Sequence, residues 1–391
     1  MTLVQKFEKF MDKYNIPGRL FYIAWVFFTL SFMLNLTAWD GLDHSGQTEH
    51  ILRLIRYASC CIFIIVIALK LLMKGYEKKH LIMYAVLCAA ILLVVYFSHD
   101  KLMGYYFTAF MAAYREDARK VACVSAVLTG GLLLVNLIGS YTGFSVNYLF
   151  GEAERARFGL GFSWTSSAPV LFLFFTMLYI YIRKEKMHFW EFIILEAFNV
   201  YFYIMTDSRF AFVLGSAVVV FFFIESLFKD HFRFVMRIKW LMTVLPFIIA
   251  LLVILSYFIY DPDLSFFREL NSLLSDRYEL GSSGIERYGI SLFGQPIQWF
   301  GYDINNLVIA DYNYVDCSYL QILLQYGITM LLAALYIYAR GIYRAAKVQD
   351  GYFMCILVFI SVFSITEPRL MNLAFNVFPV LCFCSLKEKS V

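Results

Sequence analysis

Apolar runs of helical length make up most of this chain, and short polar connectors separate them. A helix needs about 20 residues to cross the hydrocarbon of a bilayer, and the runs recur near that length. The pattern predicts an all-α fold, a polytopic integral membrane bundle of about 12 transmembrane helices. The predicted spans are residues 19–38, 52–72, 81–97, 102–114, 121–140, 167–182, 190–206, 210–228, 240–260, 318–338, 351–366 and 371–386.

Two stretches depart from this pattern. Residues 1–18 place apolar side chains on one helical face, which predicts an interfacial amphipathic helix that ends at Pro17 and Gly18. Residues 261–317 are polar, with three arginines, no lysine and nine carboxylates. The predicted organisation is the interfacial helix (1–18), a bundle of about nine spans (19–260), a large late loop or lid (261–317), and C-terminal spans with a short tail (318–391).

Composition narrows the class of protein. Of the 391 residues, 61% are hydrophobic and 16% are charged, with a mean hydropathy of +0.68, which excludes an ordinary soluble domain. The net charge of +4 indicates no nucleic-acid partner, because the basic residues lie in short connectors beside the spans. The sequence has no CxxC pair and no Cys/His ligand cluster, so we expect no disulfide framework, no metal and no cofactor.

Lysine is distributed unequally between the two ends of the predicted bundle. Alternate connectors such as KGYEKKH and RKEK, together with the tail KEK, hold nearly all the lysines. By the positive-inside rule that side is cytoplasmic. Both termini are then cytoplasmic, and the 261–317 loop lies on the outer side of the membrane.

The outer side carries its positive charge on arginine. It has one lysine, Lys101, and nine arginines: Arg53, Arg56, Arg155, Arg157, Arg209, Arg268, Arg277, Arg287 and Arg369. Arginine presents a planar fork that holds phosphate through two parallel hydrogen bonds, whereas lysine acts as a point charge. As a set, these arginines predict binding of phosphate or pyrophosphate. For any single one, the alternative is pairing with an outer carboxylate.

Two outer stretches place arginines beside groups that suit an anionic ligand. The first is RARFGLGFSWTSSAP at 155–169, where Arg155 and Arg157 precede glycines and small hydroxyl residues; its alternative is a glycine-rich turn into a helix. The second is TDSRFAF at 206–212, where Arg209 begins an otherwise apolar helix. An ionisable residue at that depth costs a few kcal/mol unless it is paired or faces a polar cavity. Asp207 is its nearest possible partner, and snorkelling of Arg209 toward the headgroups is the alternative.

A third stretch closes the polar interval. RYGISLFGQPIQWFGYD at 287–303 opens with Arg287 and is broken by glycine and proline, and VDCSYLQILLQYGI at 315–328 enters the next span. Asp316 stands at the mouth of that span, with Tyr319 behind it. A carboxylate there can accept a proton from a sugar hydroxyl. Equally, Asp316 can cap the N-terminus of its helix.

From about residue 120 to 380, the order of these elements resembles the bacterial family of O-antigen and capsular polysaccharide polymerases (Wzy-type) and O-antigen ligases. The resemblance lies in the 155–169 run, the Ser208–Arg209 turn, the Arg287 segment ending in FGYD, and the Asp316-Cys-Ser-Tyr-Leu entry with Gly327 behind it. The ligases carry a histidine where Asp316 stands here. Because 261–317 contains no histidine, the polymerase is favoured over the ligase.

The resemblance implies a glycosyltransferase of the bacterial plasma membrane. Such polymerases move a growing glycan from undecaprenyl pyrophosphate to a sugar hydroxyl of another lipid-linked repeat unit, and so build O-antigen or capsule. Implied partners are the undecaprenyl-pyrophosphate-linked oligosaccharide, membrane lipids, a chain-length regulator and a flippase. Outer arginines can neutralise the departing pyrophosphate, so we expect a metal-independent enzyme.

Residue roles follow from the stretches above. The predicted catalytic residues are Arg157, Arg209, Arg287 and Asp316. The predicted substrate-binding residues are Arg155, Asp207, Arg277, Asp303, Tyr319 and Arg369. A lipid-linked oligosaccharide flippase or other transporter is the main alternative, since such proteins also have about a dozen spans. Charges inside the bundle and repeat symmetry are expected of a transporter, and neither is clear in this sequence.

Overall fold

The computed structural model is a bundle of α-helices with two short antiparallel strands. It describes residues 11, 14–39, 46–73, 78–151, 156–228, 232–274, 276–301 and 312–386. The helices are α1 (Ile16–Met33), α2 (Gln47–Leu72), α3 (Lys78–Ser98), α4 (Leu102–Ala112), α5 (Ala118–Thr142), α6 (Ser167–Arg183), α7 (Phe189–Thr206), α8 (Arg209–Ser226), α9 (Arg233–Arg237), α10 (Lys239–Phe258), α11 (Ser265–Leu273), α12 (Arg277–Tyr288), α13 (Ser318–Lys347), α14 (Gly351–Phe363) and α15 (Phe378–Leu381). The strands are β1 (Leu149–Phe150) and β2 (Arg157–Phe158).

The prediction of an all-α membrane bundle is confirmed at this level. Within the described ranges, nine helices are long and apolar enough to cross a membrane: α1, α2, α3, α5, α6, α7, α8, α10 and α13. Many large apolar side chains on these helices point away from the core, for example Ile204 at 71% exposure and Leu252 at 62%. Such faces suit contact with lipid, because every backbone polar group of a helix is already paired.

Three of the predicted spans differ from the structure. Helix α4 has 11 residues and α14 has 13, so each is too short to cross the hydrocarbon alone. The predicted span over 371–386 is wrong, since the helix within it is α15, with 4 residues. The predicted interfacial helix lies mostly outside the described residues. Its proposed end is also wrong, because Pro17 stands in the first turn of α1 instead of closing a helix.

The segment that replaces the last predicted span is buried and mostly non-helical. Carbonyl groups beside it and within it find partners inside the bundle. Just before it, Tyr338 Oη donates to the Leu370 carbonyl at 2.8 Å, and Asn376 Nδ2 donates to the same oxygen at 2.8 Å. Farther along, Arg344 Nη1 donates to the Cys382 carbonyl at 2.6 Å. Irregular backbone at membrane depth is tolerated only where protein satisfies it in this way.

Helix α13 is interrupted at Gly327, where φ is 78° and ψ is 177°. The segment after α12 packs into this interruption and supplies the missing hydrogen bonds. Gln295 N donates to the Gln325 carbonyl at 3.0 Å, and Ile328 N donates to the Ser291 carbonyl at 3.0 Å. The interruption therefore fastens the late loop to the bundle.

Replacing Gly327 by alanine is expected to destabilise the protein by at least 1–3 kcal/mol. Its φ and ψ are essentially restricted to glycine, at roughly that cost for other residues, and a Cβ there would overlap the backbone nitrogen of Gly294. Gly131 is the matched control: it lies in α5, a Cβ would meet no atom within 4 Å, and alanine favours a helix by about 0.5–1 kcal/mol. Thermal unfolding in nanodiscs measures both variants. A Gly327→Ala protein as stable as Gly131→Ala would contradict this.

The two ends of the bundle differ: lysines lie at one end, and the late loop lies at the other. Helix α6 runs from Ser167 to Arg183, and Lys184 Nζ then contacts Asp350 Oδ2 at 2.6 Å, just before α14 begins. We call this the lysine end, where α13 also ends at Lys347. The starts of α6, α8 and α13 and the end of α7 meet at the opposite end, beside the late loop.

Candidate functional site

A cavity of about 840 Å³ opens where those helix ends meet. Among the described residues, four arginines line it: Arg157, Arg209, Arg277 and Arg369. Three described carboxylates also line it: Asp207, Asp316 and Glu367. We call this space the arginine cavity. With these seven described groups ionised, they carry one net positive charge between them, which favours an anionic ligand.

The turn between α7 and α8 brings two of these residues to the cavity. Asp207 takes the left-handed conformation, with φ 45°, and its N–H donates to the Tyr203 carbonyl at 2.8 Å, which ends α7. Arg209 then begins α8. Its Nε lies 3.3 Å from Asp207 Oδ1, and its side chain is 72% exposed, so the guanidinium remains accessible to a ligand. The predicted Arg209–Asp207 partnership is thus present, and it faces a polar cavity.

The glycine-rich run contributes Arg157 from β2. Arg157 Nε donates to the Thr206 carbonyl at 2.8 Å, which ties this strand to the end of α7. The chain then turns at Gly161, where φ is 81° and the backbone lies against Asn136. The following residues line the cavity before α6 begins, including Ser163 and Ser166.

Arg277 contacts two carboxylates and a backbone carbonyl. Its Nε lies 3.3 Å from Asp316 Oδ2, its Nη2 lies 3.6 Å from Glu367 Oε1, and its Nη1 donates to the Thr366 carbonyl at 2.5 Å. Asn271 fixes the start of α12 beside it, since Asn271 Oδ1 accepts from the Tyr278 N–H at 3.0 Å. The loop and the end of the bundle therefore meet at this guanidinium.

Asp316 does not cap α13. The N-cap position is Cys317, and Asp316 pairs with Arg277 instead. Burial raises the pKa of the Asp316 carboxyl above its usual value, and the positive charges of Arg277 and Arg369 oppose that rise. Burial also raises the pKa of Glu367, with Arg277 opposing it. A carboxylate with a raised pKa is a stronger base at neutral pH than an ordinary one.

Three polar atoms of cavity residues lack a hydrogen-bond partner among the described residues: Ser208 Oγ, Thr366 Oγ1 and Arg369 Nε. Ser208 and Thr366 are 8% and 4% exposed. The Arg369 guanidinium carbon lies 4.3 Å from the centre of the Phe375 ring, within the range of a cation–π interaction. A buried polar group without a partner costs about 1–3 kcal/mol.

The structure brings six of the ten predicted site residues together at the cavity. They are Arg157, Asp207, Arg209, Arg277, Asp316 and Arg369. Arg155 and Asp303 lie outside the described residues. Arg287 lies exposed on α12, 5.4 Å from the ring centre of Tyr288, and does not line the cavity. Its catalytic role stays a prediction.

One predicted residue is misplaced and one cavity residue is new. Tyr319 was expected to bind substrate, but it is fully buried and donates to the Ser361 carbonyl at 2.6 Å, so it belongs to the core. Glu367 did not figure among the predicted residues. Its only sequence signal is the polar run TEPR at 366–369, which separates α14 from the buried apolar segment.

No family model, curated protein or solved structure matches this chain. The function is therefore inferred from the cavity and from the motif resemblance alone. Parts of all the resembling motifs converge on this space, since Arg157, Arg209, Trp299 and Asp316 each come from a different one and each line it.

Proposed function

We propose that the protein is a glycosyltransferase that polymerises undecaprenyl-pyrophosphate-linked oligosaccharide repeat units into surface polysaccharide, such as O-antigen or capsule. The reaction takes place on the outer face of a bacterial plasma membrane. One observation carries the proposal: a bundle of spanning-length helices holds four arginines around a single cavity at one end. A membrane-anchored pyrophosphate can reach such a cavity while its lipid chain stays in the bilayer.

The arginines supply the chemistry that the donor needs. When the anomeric carbon is attacked, its bond to the pyrophosphate oxygen breaks and negative charge grows on the leaving group. Arg157, Arg209 and Arg369 come from three different parts of the chain and line the same cavity, where they can contact that group.

Asp316 is the proposed general base for the acceptor. The acceptor hydroxyl oxygen forms the new bond to the anomeric carbon, and its proton passes to the Asp316 carboxylate. Undecaprenyl pyrophosphate leaves with the bonding electron pair. Arg277 holds Asp316 at 3.3 Å, and therefore orients the base as well as stabilising its ionised form.

The charge distribution also supports an orientation in the membrane. The lysine end corresponds to the cytoplasm under the positive-inside rule, which places the arginine cavity outside. Both termini are then inside, because α4, α14 and the buried segment over 371–386 also carry the chain between the two ends; Arg344, near the end of α13, donates to the Cys382 carbonyl. A donor unit presented on the outer leaflet then has direct access to the cavity.

Cysteine labelling in intact cells tests this orientation. A cysteine at Ser283, exposed on α12 at the cavity end, is expected to react with a membrane-impermeant maleimide. A cysteine at Lys186, exposed at the lysine end, is expected to react only after permeabilisation. Mass spectrometry of the labelled peptides separates these sites from the native cysteines. Labelling at Lys186 in intact cells would reverse the orientation and remove the outer-face reaction.

The polysaccharide of a deletion strain tests the function. A strain without this gene is expected to carry single repeat units on its surface in place of polymer. Loss of both polymer and surface-exposed units would instead indicate a flippase. Polymer that accumulates on the lipid carrier would indicate a ligase-type transferase. Complementation with the intact gene restores polymer in each case and serves as the control.

A further inference from the structure

One wall of the arginine cavity is formed by an aromatic side chain whose orientation is fixed by hydrogen bonds. Trp299 lines the cavity, and its Nε1 donates to Gln325 Oε1 at 2.7 Å. Gln325 Nε2 donates in turn to Asp100 Oδ2 at 3.1 Å. Asp100 lies between α3 and α4, so three distant parts of the chain meet in this relay.

The direction of every bond in the relay is forced. An ionised carboxylate only accepts hydrogen bonds, so Asp100 requires the Gln325 amide to present its N–H₂. The amide oxygen then faces Trp299, whose indole can only donate. Tyr326 Oη donates to the same Asp100 oxygen at 2.6 Å, and the Leu102 N–H donates to Asp100 Oδ1 at 2.9 Å. Asp100 is therefore held on both of its oxygens.

The backbone around Trp299 is fixed as well. Asn313 Oδ1 accepts from the Phe300 N–H at 2.6 Å, and Asn313 Nδ2 donates to the Gln298 carbonyl at 2.9 Å. The rings of Tyr288 and Tyr314 meet the indole at 73° and 74°, so neither stacks on it. A fixed, partly exposed indole in a polar cavity costs little further entropy when a flat ligand surface packs on it.

We propose that Trp299 is a stacking platform for a pyranose ring of the lipid-linked oligosaccharide, and that Gln325 and Asp100 are positioning residues that set the plane of its indole. The C–H face of a pyranose is apolar and suits the electron-rich face of an indole, whereas the arginines across the cavity hold the pyrophosphate. The platform rests on the proposed function, since it assigns the sugar part of the same substrate. It orients that sugar relative to Asp316.

Binding measurements test the platform independently of turnover. The probe is the radiolabelled lipid-linked repeat unit extracted from the deletion strain, bound at equilibrium to the full-length protein in nanodiscs. Trp299→Leu is expected to raise Kd about tenfold and Trp299→Phe about threefold, because phenylalanine keeps a smaller ring without the N–H. Trp240→Leu is the control: Trp240 is 65% exposed on α10, and Kd is expected to stay at the wild-type value.

A double-mutant cycle tests the positioning role. In Asp100→Asn the amide oxygen can still accept from the Leu102 N–H, but its N–H₂ faces Gln325, which must turn its own N–H₂ toward the indole. Asp100→Asn is expected to raise Kd about threefold with tryptophan at 299, and to leave Kd unchanged in the Trp299→Phe background. A merely structural role for Asp100 predicts equal effects in both backgrounds, which would overturn the positioning role.

The outcomes separate the platform from the function. Wild-type Kd in Trp299→Leu, together with normal polymer formation, overturns the platform and leaves the proposed function intact. Tenfold weaker binding in Trp299→Leu supports the platform. If the wild-type protein also binds the units without joining them, the polymerase function is overturned while the platform stands. If Trp299→Leu fails to fold, the Trp299→Phe and Asp100→Asn cycle decides the question alone.

Discussion

Asp316→Asn is expected to lower polymer formation by roughly 10²–10⁴-fold while binding of the lipid-linked units persists. The amide preserves the size of the side chain and its contact with Arg277, but it cannot take the acceptor proton. Because burial raises the pKa of Asp316, the wild-type rate is expected to fall with decreasing pH at a higher pH than an ordinary aspartate would give. The measurement is the initial rate of polymer formation across a pH series.

Two further variants serve as a control for Asp316→Asn and as a test of the other carboxylate that contacts Arg277. Asp263→Asn is the matched control, since Asp263 is exposed in the same loop and does not line the cavity; it is expected to keep the wild-type rate. Glu367→Gln removes the other carboxylate on Arg277. A fully active Asp316→Asn beside an inactive Glu367→Gln would transfer the base to Glu367. Full activity in both would contradict general-base catalysis by this carboxylate pair.

Arg369→Lys is expected to lose activity nearly as completely as Arg369→Ala, by about 10²–10³-fold. Its guanidinium lies against Phe375 and lines the cavity, where it can hold two phosphate oxygens. A lysine ammonium cannot reproduce that geometry. Arg209→Lys is expected to behave similarly, because its exposed guanidinium faces the same cavity.

Arg268 provides the matched control for these substitutions. It lies in α11 and does not line the cavity; its Nη2 donates to the Asp263 carbonyl at 3.4 Å. Arg268→Lys is expected to retain wild-type activity. Expression and thermal unfolding of each variant separate loss of catalysis from loss of the fold. Full activity in Arg369→Lys would reduce that arginine to a structural cation.

Hydropathy located the nine long helices because a lipid-facing helix requires about 20 apolar residues in sequence. The same rule failed over 371–386, since a chain segment buried among helices must be equally apolar whether or not it is helical. Hydropathy gives no weight to Asn376, although this polar residue indicates irregular backbone. Its amide donates hydrogen bonds to the carbonyls of Arg369 and Leu370. Hydropathy cannot separate burial in protein from burial in lipid.

The charge pattern of the sequence was enough to predict the arginines of the cavity. The nine arginines that the sequence places at the predicted outer side include all four that line the cavity. The side chain of an arginine on a connector can only face solvent, pair with a carboxylate or bind a ligand. The charge pattern did not distinguish Arg287 from these four, since packing determines which side of α12 faces the cavity. Tyr319 and Glu367 were misjudged for the same reason. Tyr319 lies three positions after Asp316 and Glu367 two positions before Arg369, and only the fold decides which of these residues line the cavity.

Polymer formation by the purified protein measures the central claim most directly. The protein is reconstituted alone in liposomes that contain lipid-linked repeat units, with excess EDTA present. We predict glycan chains of more than one unit, formed together with free undecaprenyl pyrophosphate, and we predict that Asp316→Asn and Arg369→Lys liposomes form few or none. Repeat units that cross the bilayer without being joined would contradict the account, as would polymer formation that requires added magnesium or manganese.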